Sequence, residues 1–309
     1  MYFAVFVCNF AIMYPIDKPQ NSSHSNFTLN IKGKLYPLDR PKIMGIVNIT
    51  PDSFYADSRT TTRDSVKRRV EQMLTEGADM LDIGAYSSRP GADDVSSDME
   101  LERLSLGMDA LTEAAGRDIP VSVDTFRADV AKETVTNLSC DIINDISGGS
   151  LDPQMWSTVA ELGVPYILMH MRGTPATMQS MTDYSAWNGD VTSGVIAELS
   201  HKVTALRHMG VADIIIDPGF GFSKTVEQNY RLINSMEHIA DLFHAPLLVG
   251  ISRKSMIYKP LGITPAEALN GTTALHVIAL MHGAAILRVH DVKAAREALT
   301  VFELAEQNL

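Results

Sequence analysis

From Phe27 onward the chain alternates short, almost continuous apolar runs with longer segments whose apolar positions recur every three to four residues. The first pattern reads as strands buried on both faces and the second as amphipathic helices. Their alternation is that of βα units around a parallel sheet. Eight apolar runs are present, at residues 43–50, 80–85, 121–125, 142–146, 166–171, 214–219, 247–252 and 285–291. Helical segments separate them, among them 62–76, 99–115, 127–138, 191–209, 226–242 and 265–282. Residues 27–41, with Gly33 at a turn, read as a β-hairpin ahead of the first run.

Eight such units either stay open as a doubly wound sheet or close on themselves, and periodicity does not choose between the two. The polar residues do. Asn48, Asp82, Asp124, Asn144, His170, Asp217, Ser252 and His290 stand near the ends of the eight runs. In a closed barrel those ends converge on one face, and that face holds the active site. The expected architecture is an α/β fold, a (β/α)8 TIM barrel, with the N-terminal hairpin closing the bottom. Residues 27–309 are expected to form this one domain, and residues 1–26 a poorly ordered extension.

At 309 residues the chain suits one such barrel, which needs about 250. Its 45% hydrophobic and 20% charged residues fit a globular protein with a sizeable core. A formal net charge of -11 argues against nonspecific nucleic-acid binding, so any anionic ligand is held by local groups. Cys8 and Cys140 match no metal or redox spacing, which favours reduced thiols and a cytoplasmic setting. Residues 2–14 are apolar but too short to span a bilayer and lack a basic flank; a secretory signal is the competing reading of that stretch. No zinc-type His/Cys cluster, P-loop or G-x-S-x-G elbow appears, so nucleophilic hydrolysis has no support.

Several strand ends carry chemistry, each with a plainer alternative. Asp217, in Asp217-Pro218-Gly219-Phe220-Gly221-Phe222, suits a planar pair of donors such as the ring N–H and NH2 of a 2-amino-4-oxo pyrimidine. Its alternative is closure of the Pro-Gly turn. Lys254 either donates to a ligand oxygen or starts a solvated helix. Arg288 and His290 alternate along the last run and so point to one side, where they match a diphosphate; an internal ion pair with Asp291 is the alternative for Arg288. Asn48 offers an amide oxygen to Mg2+ or serves only the turn that follows. The Ser-rich stretch Tyr86-Ser87-Ser88-Arg89-Pro90-Gly91 is either a phosphate-contacting loop or loop structure alone. Asp124 and Asn144 emerge from apolar strands and need partners, whereas His170 reads better as a satisfied core histidine than as a ligand contact.

Taken in order, Asn48-Ile49-Thr50-Pro51-Asp52-Ser53-Phe54, Ser88-Arg89-Pro90-Gly91, Ser122-Val123-Asp124-Thr125, Asn144-Asp145-Ile146, Asp217-Pro218-Gly219-Phe220-Gly221-Phe222, Ser252-Arg253-Lys254 and Arg288-Val289-His290-Asp291 resemble the signature of the dihydropteroate synthase family. The resemblance runs from about Lys42 to the C-terminus. It implies condensation of a pterin methyl diphosphate with 4-aminobenzoate, release of pyrophosphate, Mg2+ as cofactor, and a homodimer formed through outer helices, with no nucleic-acid or membrane partner. By the same resemblance Asp124, Asn144, Met169, Asp217 and Lys254 line the pterin pocket. Asn48, Ser88, Arg89, Arg288 and His290 take the diphosphate, Asn48 with the metal, while Phe222, Ser255 and Pro90 contact the aminobenzoate. Asp124, Asp217 and Lys254 are the expected catalytic set. Two positions depart from the family, which commonly has Thr at Ser88 and often Glu at Tyr86. Competing readings are a pterin-binding methyltransferase barrel and a binding-only barrel; the Asn48 loop, Ser88-Arg89, Lys254 and Arg288-His290 are features the methyltransferase has no evident need for.

Overall fold

The computed structural model describes residues 27–49, 59–86, 95–116 and 118–307. The extension at 1–26 and the loop residues Ser88, Arg89 and Pro90 lie outside the described residues.

Eight parallel strands close into a barrel: β3 (Lys42–Asn48), β4 (Met80–Gly84), β5 (Val121–Asp124), β6 (Ile142–Asp145), β7 (Tyr166–Met169), β8 (Ile214–Asp217), β9 (Leu247–Val249) and β10 (Ala284–Val289), with β10 pairing back onto β3. All eight fall on the apolar runs of the sequence. Each stops short of its run, because the last residues turn into the loops of the barrel mouth. Helices α1 (Arg59–Thr75), α2 (Ser97–Ala115), α3 (Ala128–Asn137), α4 (Met155–Leu162), α5 (Val191–His208), α6 (Val226–Ile233), α7 (Met236–Phe243), α8 (Ser255–Leu261), α9 (Leu269–Met281) and α10 (Val292–Glu306) surround the strands.

The 226–242 pattern is thus two helices, not one. Asn234 and Ser235 interrupt it, where the Ser235 amide donates to the Leu232 carbonyl at 3.0 Å, the tighter i→i−3 bond that closes a helix end. The 265–282 segment opens with a 3-10 turn, Pro265–Glu267, before α9 begins.

Alternation along each strand sorts side chains to the two faces of the barrel wall. Ile43, Val47, Leu81, Ile83, Val121, Val123, Ile143, Leu168, Ile216, Val249, Leu287 and Val289 face outward and pack with the helices. The inward positions change character with height. At the bottom Met44, Met80, Ile142, Ile167, Ile215, Leu248 and Ile286 form one apolar layer. Two residues further along several of the same strands come Asp82, Asn144, Met169, Asp217, Gly250 and Arg288. The sequence therefore builds an oily floor beneath a polar mouth.

The hairpin seals the floor. Strands β1 (Phe27–Ile31) and β2 (Lys34–Leu38) pair antiparallel across Lys32 and Gly33, both at positive φ (50° and 79°), as a two-residue hairpin turn requires. Leu29 and Leu38 are buried against the apolar layer. The Asn30 amide donates to Asp213 at 2.7 Å, and Lys32 Nζ to the Ser139 carbonyl at 2.8 Å, fixing the hairpin to the loops of that end.

Candidate active site

At the mouth, four polar side chains from four strands meet. Arg288 of β10 donates from Nε to Asp82 Oδ2 and from Nη2 to Asp124 Oδ2, both at 2.6 Å, and Asn144 Nδ2 donates to Asp82 Oδ2 at 3.2 Å. Asp82 is fully buried, and its Oδ1 has no partner among the described residues, as is also true of Ser122 Oγ, its register neighbour on β5. Two carboxylates share one guanidinium here. Burial and the charge of Asp82 raise the Asp124 carboxyl to about 7 despite Arg288, whereas the two carboxylates hold the Arg288 guanidinium firmly protonated.

This pairing corrects one alternative. Arg288 does not pair with Asp291: it binds Asp82 and Asp124, while Asp291, beyond the end of β10 at the start of α10, takes Arg253, with Nε to Oδ2 at 2.8 Å and Nη2 to Oδ1 at 2.9 Å. Arg253 Nη1 donates onward to the Pro265 carbonyl at 3.0 Å, so this arginine ties the β9 loop to the start of the next helical segment.

Beside that cluster sit Asp217 and Lys254. Asp217 Oδ1 accepts from the Gly219 amide at 2.8 Å, so the carboxylate does close its turn. The other oxygen faces the mouth. A Cβ placed on Gly250 would have Asp217 Oδ2 and Lys254 Nζ at 3.9 Å and Arg288 Cδ at 4.0 Å, so a carboxylate, an ammonium and the arginine stem border one small space. Lys254 is no solvated helix start: it precedes α8, donates to the Phe220 carbonyl at 2.7 Å and lies 4.4 Å from the Phe222 ring centroid. Burial lowers its ammonium to about 8 and raises the Asp217 carboxyl, and each opposes the other's shift through its charge.

An apolar wall flanks these groups, formed by buried Ile146, Met169, Met171 and Met178 with Phe126, Leu151 and Phe222 packed against it. An apolar wall beside a few convergent polar groups is the usual lining of a small-molecule site. Ser255 is the first residue of α8, next to Lys254. Asn48 ends β3, half-buried, in register with Gly84, which in turn pairs with Asp124. His290 follows β10, its amide donating to Ser252 Oγ at 3.2 Å; burial and the Arg288 charge lower its imidazole to about 4, so it is neutral. His170 is the satisfied core histidine expected, with Nε2 2.8 Å from Glu198 Oε2 and Nδ1 3.0 Å from Lys224 Nζ.

Comparison with known proteins follows the same residues. A profile of the pterin binding enzyme family matches residues 44–290. The chain is 42% identical to the Synechocystis dihydropteroate synthase over 85% of its own length and 89% of that protein, and 38% identical to the Escherichia coli one over 88% and 94%. The chain belongs to the dihydropteroate synthase family. It also matches a mitochondrial folate synthesis bifunctional protein of Arabidopsis thaliana at 40% identity, of which it spans only 51%. Among solved structures, the Yersinia pestis dihydropteroate synthase in a sulfonamide complex superposes with a TM-score of 0.82 at 37% identity, covering 91% of this chain and all of that one. The Xanthomonas albilineans dihydropteroate synthase with 4-aminobenzoic acid does so with 0.82 at 35%, covering 91% and 99%.

In this dihydropteroate synthase fold Asp124, Asn144 and Arg288 meet in one cluster, Arg288 also borders Asp217 and Lys254, and Lys254 touches Phe222, which packs with Met169; Asn48, Ser255 and His290 stand at the ends of β3, α8 and β10. Asp82 belongs with them, though in the sequence only its strand-end position marks it. The added signal is its parity: it shares the inward face with Met80, and a carboxylate there needs a cation from another strand. Tyr86, one of the two departures from the family, stacks edge-on to Phe126 with centroids 5.0 Å apart, and Arg127 lies over both rings.

Proposed function

We propose that this mouth binds 6-hydroxymethyl-7,8-dihydropterin diphosphate and 4-aminobenzoate and joins them into 7,8-dihydropteroate with release of pyrophosphate. The observation that carries the reading is the shared space bordered by Asp217, Lys254 and Arg288 beside an apolar wall. Asp217 accepts from the pterin ring N–H and exocyclic NH2, and Lys254 and Asn144 supply donors to the ring's acceptors. Met169 packs on the ring face.

The bond broken is that between the pterin CH2 carbon and the diphosphate oxygen; the bond formed joins the same carbon to the arylamine nitrogen, whose proton passes to water. Cleavage runs ahead of attack. The electron-rich pterin spreads the developing positive charge, and the Asp124 carboxylate beneath it stabilises that charge in a site where water is scarce. Arg288 has Nε and Nη2 on Asp82 and Asp124, which leaves Nη1 without an acceptor among the described residues and suited to a phosphate oxygen. Neutral His290 adds a donor, as do Ser88 and Arg89 of the second loop. Phe222, Ser255 and Pro90 border the aminobenzoate.

Mg2+ fits this donor set as an ion shared with the substrate. Among the described residues no three His, Cys, Asp or Glu side chains are grouped to hold a metal by themselves, while the half-buried Asn48 amide offers one hard oxygen beside the diphosphate. When bound, the ion would neutralise charge on the leaving pyrophosphate. The same reading carries a cytoplasmic homodimer: Cys140 is a buried reduced thiol, and Leu261, Ile278, Met281 and Val301 are exposed on the last outer helices. No helix among the described residues is long and apolar enough to cross a membrane.

Calorimetric titration with the pterin tests the assignment. Asp217→Ala leaves ring donors unpaired and weakens binding by about 2 to 5 kcal/mol; unchanged affinity removes Asp217 from the pocket.

A further inference from the structure

We propose that Lys224, which lies behind the substrate space, is a positioning residue: its ammonium holds the 219–222 turn in the shape that presents the Phe222 ring to the arylamine and the Phe220 carbonyl to Lys254. The inference rests on the reading above that Phe222 borders the aminobenzoate.

The turn is improbable on its own backbone. Gly219, Gly221 and Ser223 have φ of 72°, 81° and 53°, so three residues in five sit in the left-handed region, one of them with a side chain. External groups must hold it. The Gly219 amide goes to Asp217 Oδ1, the Gly221 amide to Asn229 Oδ1 at 2.7 Å, and the Phe220 carbonyl to Lys254. The carbonyls at the two ends, Gly219 and Phe222, both accept from Lys224 Nζ, at 2.9 and 3.0 Å.

The third acceptor of Lys224 is His170 Nδ1 at 3.0 Å, so all three N–H donors of the buried ammonium are matched. Glu198 sets the tautomer: its ionised carboxylate accepts from His170 Nε2–H, which leaves Nδ1 to accept from Lys224. Glu198 is held by Arg172 from Nε and Nη2, at 3.0 and 2.7 Å to Oε1. Arg172 and Ser223 are bound reciprocally, the Arg172 amide donating to Ser223 Oγ at 2.9 Å and that hydroxyl to the Arg172 carbonyl at 3.0 Å. Helix α6 fixes the base of the lysine through the Thr225–Gln228 capping box. Lys224 thus stands between a support made by His170 and Glu198 and a turn that needs external groups to hold it, and its three bonds all go to protein groups.

Lys224→Met keeps the volume and removes the three donors. With folding checked by melting and circular dichroism, the KM for 4-aminobenzoate is expected to rise about tenfold, more than that for the pterin diphosphate, with kcat largely kept at saturation. Phe222→Ala should raise the same KM. A folded Lys224→Met protein with unchanged aminobenzoate KM, while Phe222→Ala raises it, overturns the positioning role and spares the subsite. No effect of Phe222→Ala overturns the placement of the arylamine instead. Should Lys224→Met not fold, Lys224→Gln is read the same way, together with hydrogen exchange of the Phe222 amide, which donates to the Gly219 carbonyl at 3.1 Å. Faster exchange at that amide supports the role, and exchange at the wild-type rate overturns it.

Discussion

Arg288 and Asp124 meet across the barrel mouth, with Nη2 2.6 Å from Oδ2, on strands separated in the closed sheet by β3 and β4. The contact joins the group assigned to the diphosphate with the group assigned to the pterin, so the two subsites are electrostatically one. Judged by role alone, loss of Arg288 would weaken only the phosphate-bearing substrate. The pairing changes that expectation.

Arg288→Ala leaves Asp82 and Asp124 facing each other without a cation. Such uncompensated buried charge is expected to cost about 3 to 5 kcal/mol of stability, read from urea denaturation, and to weaken a phosphate-free pterin as well as the diphosphate, read by calorimetry. Unchanged affinity for the phosphate-free pterin would show that the pair does not couple the subsites.

The site's pH behaviour follows from the same burial. With Asp124 raised to about 7 and Lys254 lowered to about 8, kcat/KM for the pterin diphosphate should fall on the acid side as Asp124 is protonated and on the alkaline side as Lys254 loses its proton. Stability moves differently. Asp124 has a folded value above its unfolded 3.8, so its contribution is fully present below the latter and is lost as pH rises to about 7. Lys254 has a folded value below its unfolded 10.5, so stability is regained as pH rises between about 8 and that value. A pH–rate profile without both limbs contradicts the assignment.

Gly219→Ala meets two obstacles, a φ of 72° and a Cβ only 1.9 Å from the His170 carbonyl oxygen. A loss of about 2 to 4 kcal/mol is expected from strain and backbone displacement, with pterin affinity falling because Asp217 is anchored by the Gly219 amide. A stable, fully binding variant would mean that the turn is adjustable.

At the other end, Leu29→Ala opens a cavity under the apolar floor and should cost about 2 to 5 kcal/mol. Activity below the melting transition should be nearly unchanged, since the polar mouth rests on β-strand positions one layer higher. A large drop in kcat at full folding would show that the plug shapes the site.

The eight strands were legible because burial on both faces leaves continuous apolar runs, and the polar residues ending those runs located the mouth. The break at Asn234–Ser235 was not legible, since the apolar period runs straight through it. Nor was the partner of Arg288. Asp291 is nearer in sequence but lies beyond the end of β10 and is taken by Arg253, while barrel closure brings Asp82 and Asp124 from distant positions to the same face as Arg288. Lys224 was hidden for a similar reason: its sequence neighbourhood reads as a loop before a helix, and its three acceptors are assembled only when β7 and the 219–222 turn pack together.

The most direct test of the central claim is pyrophosphate release by the purified protein given 6-hydroxymethyl-7,8-dihydropterin diphosphate, 4-aminobenzoate and Mg2+, with each omitted in turn. Release that requires all three is the expected result. Binding of the pterin with no release of pyrophosphate under any combination would contradict the account and leave the barrel a pterin-binding protein without this transfer.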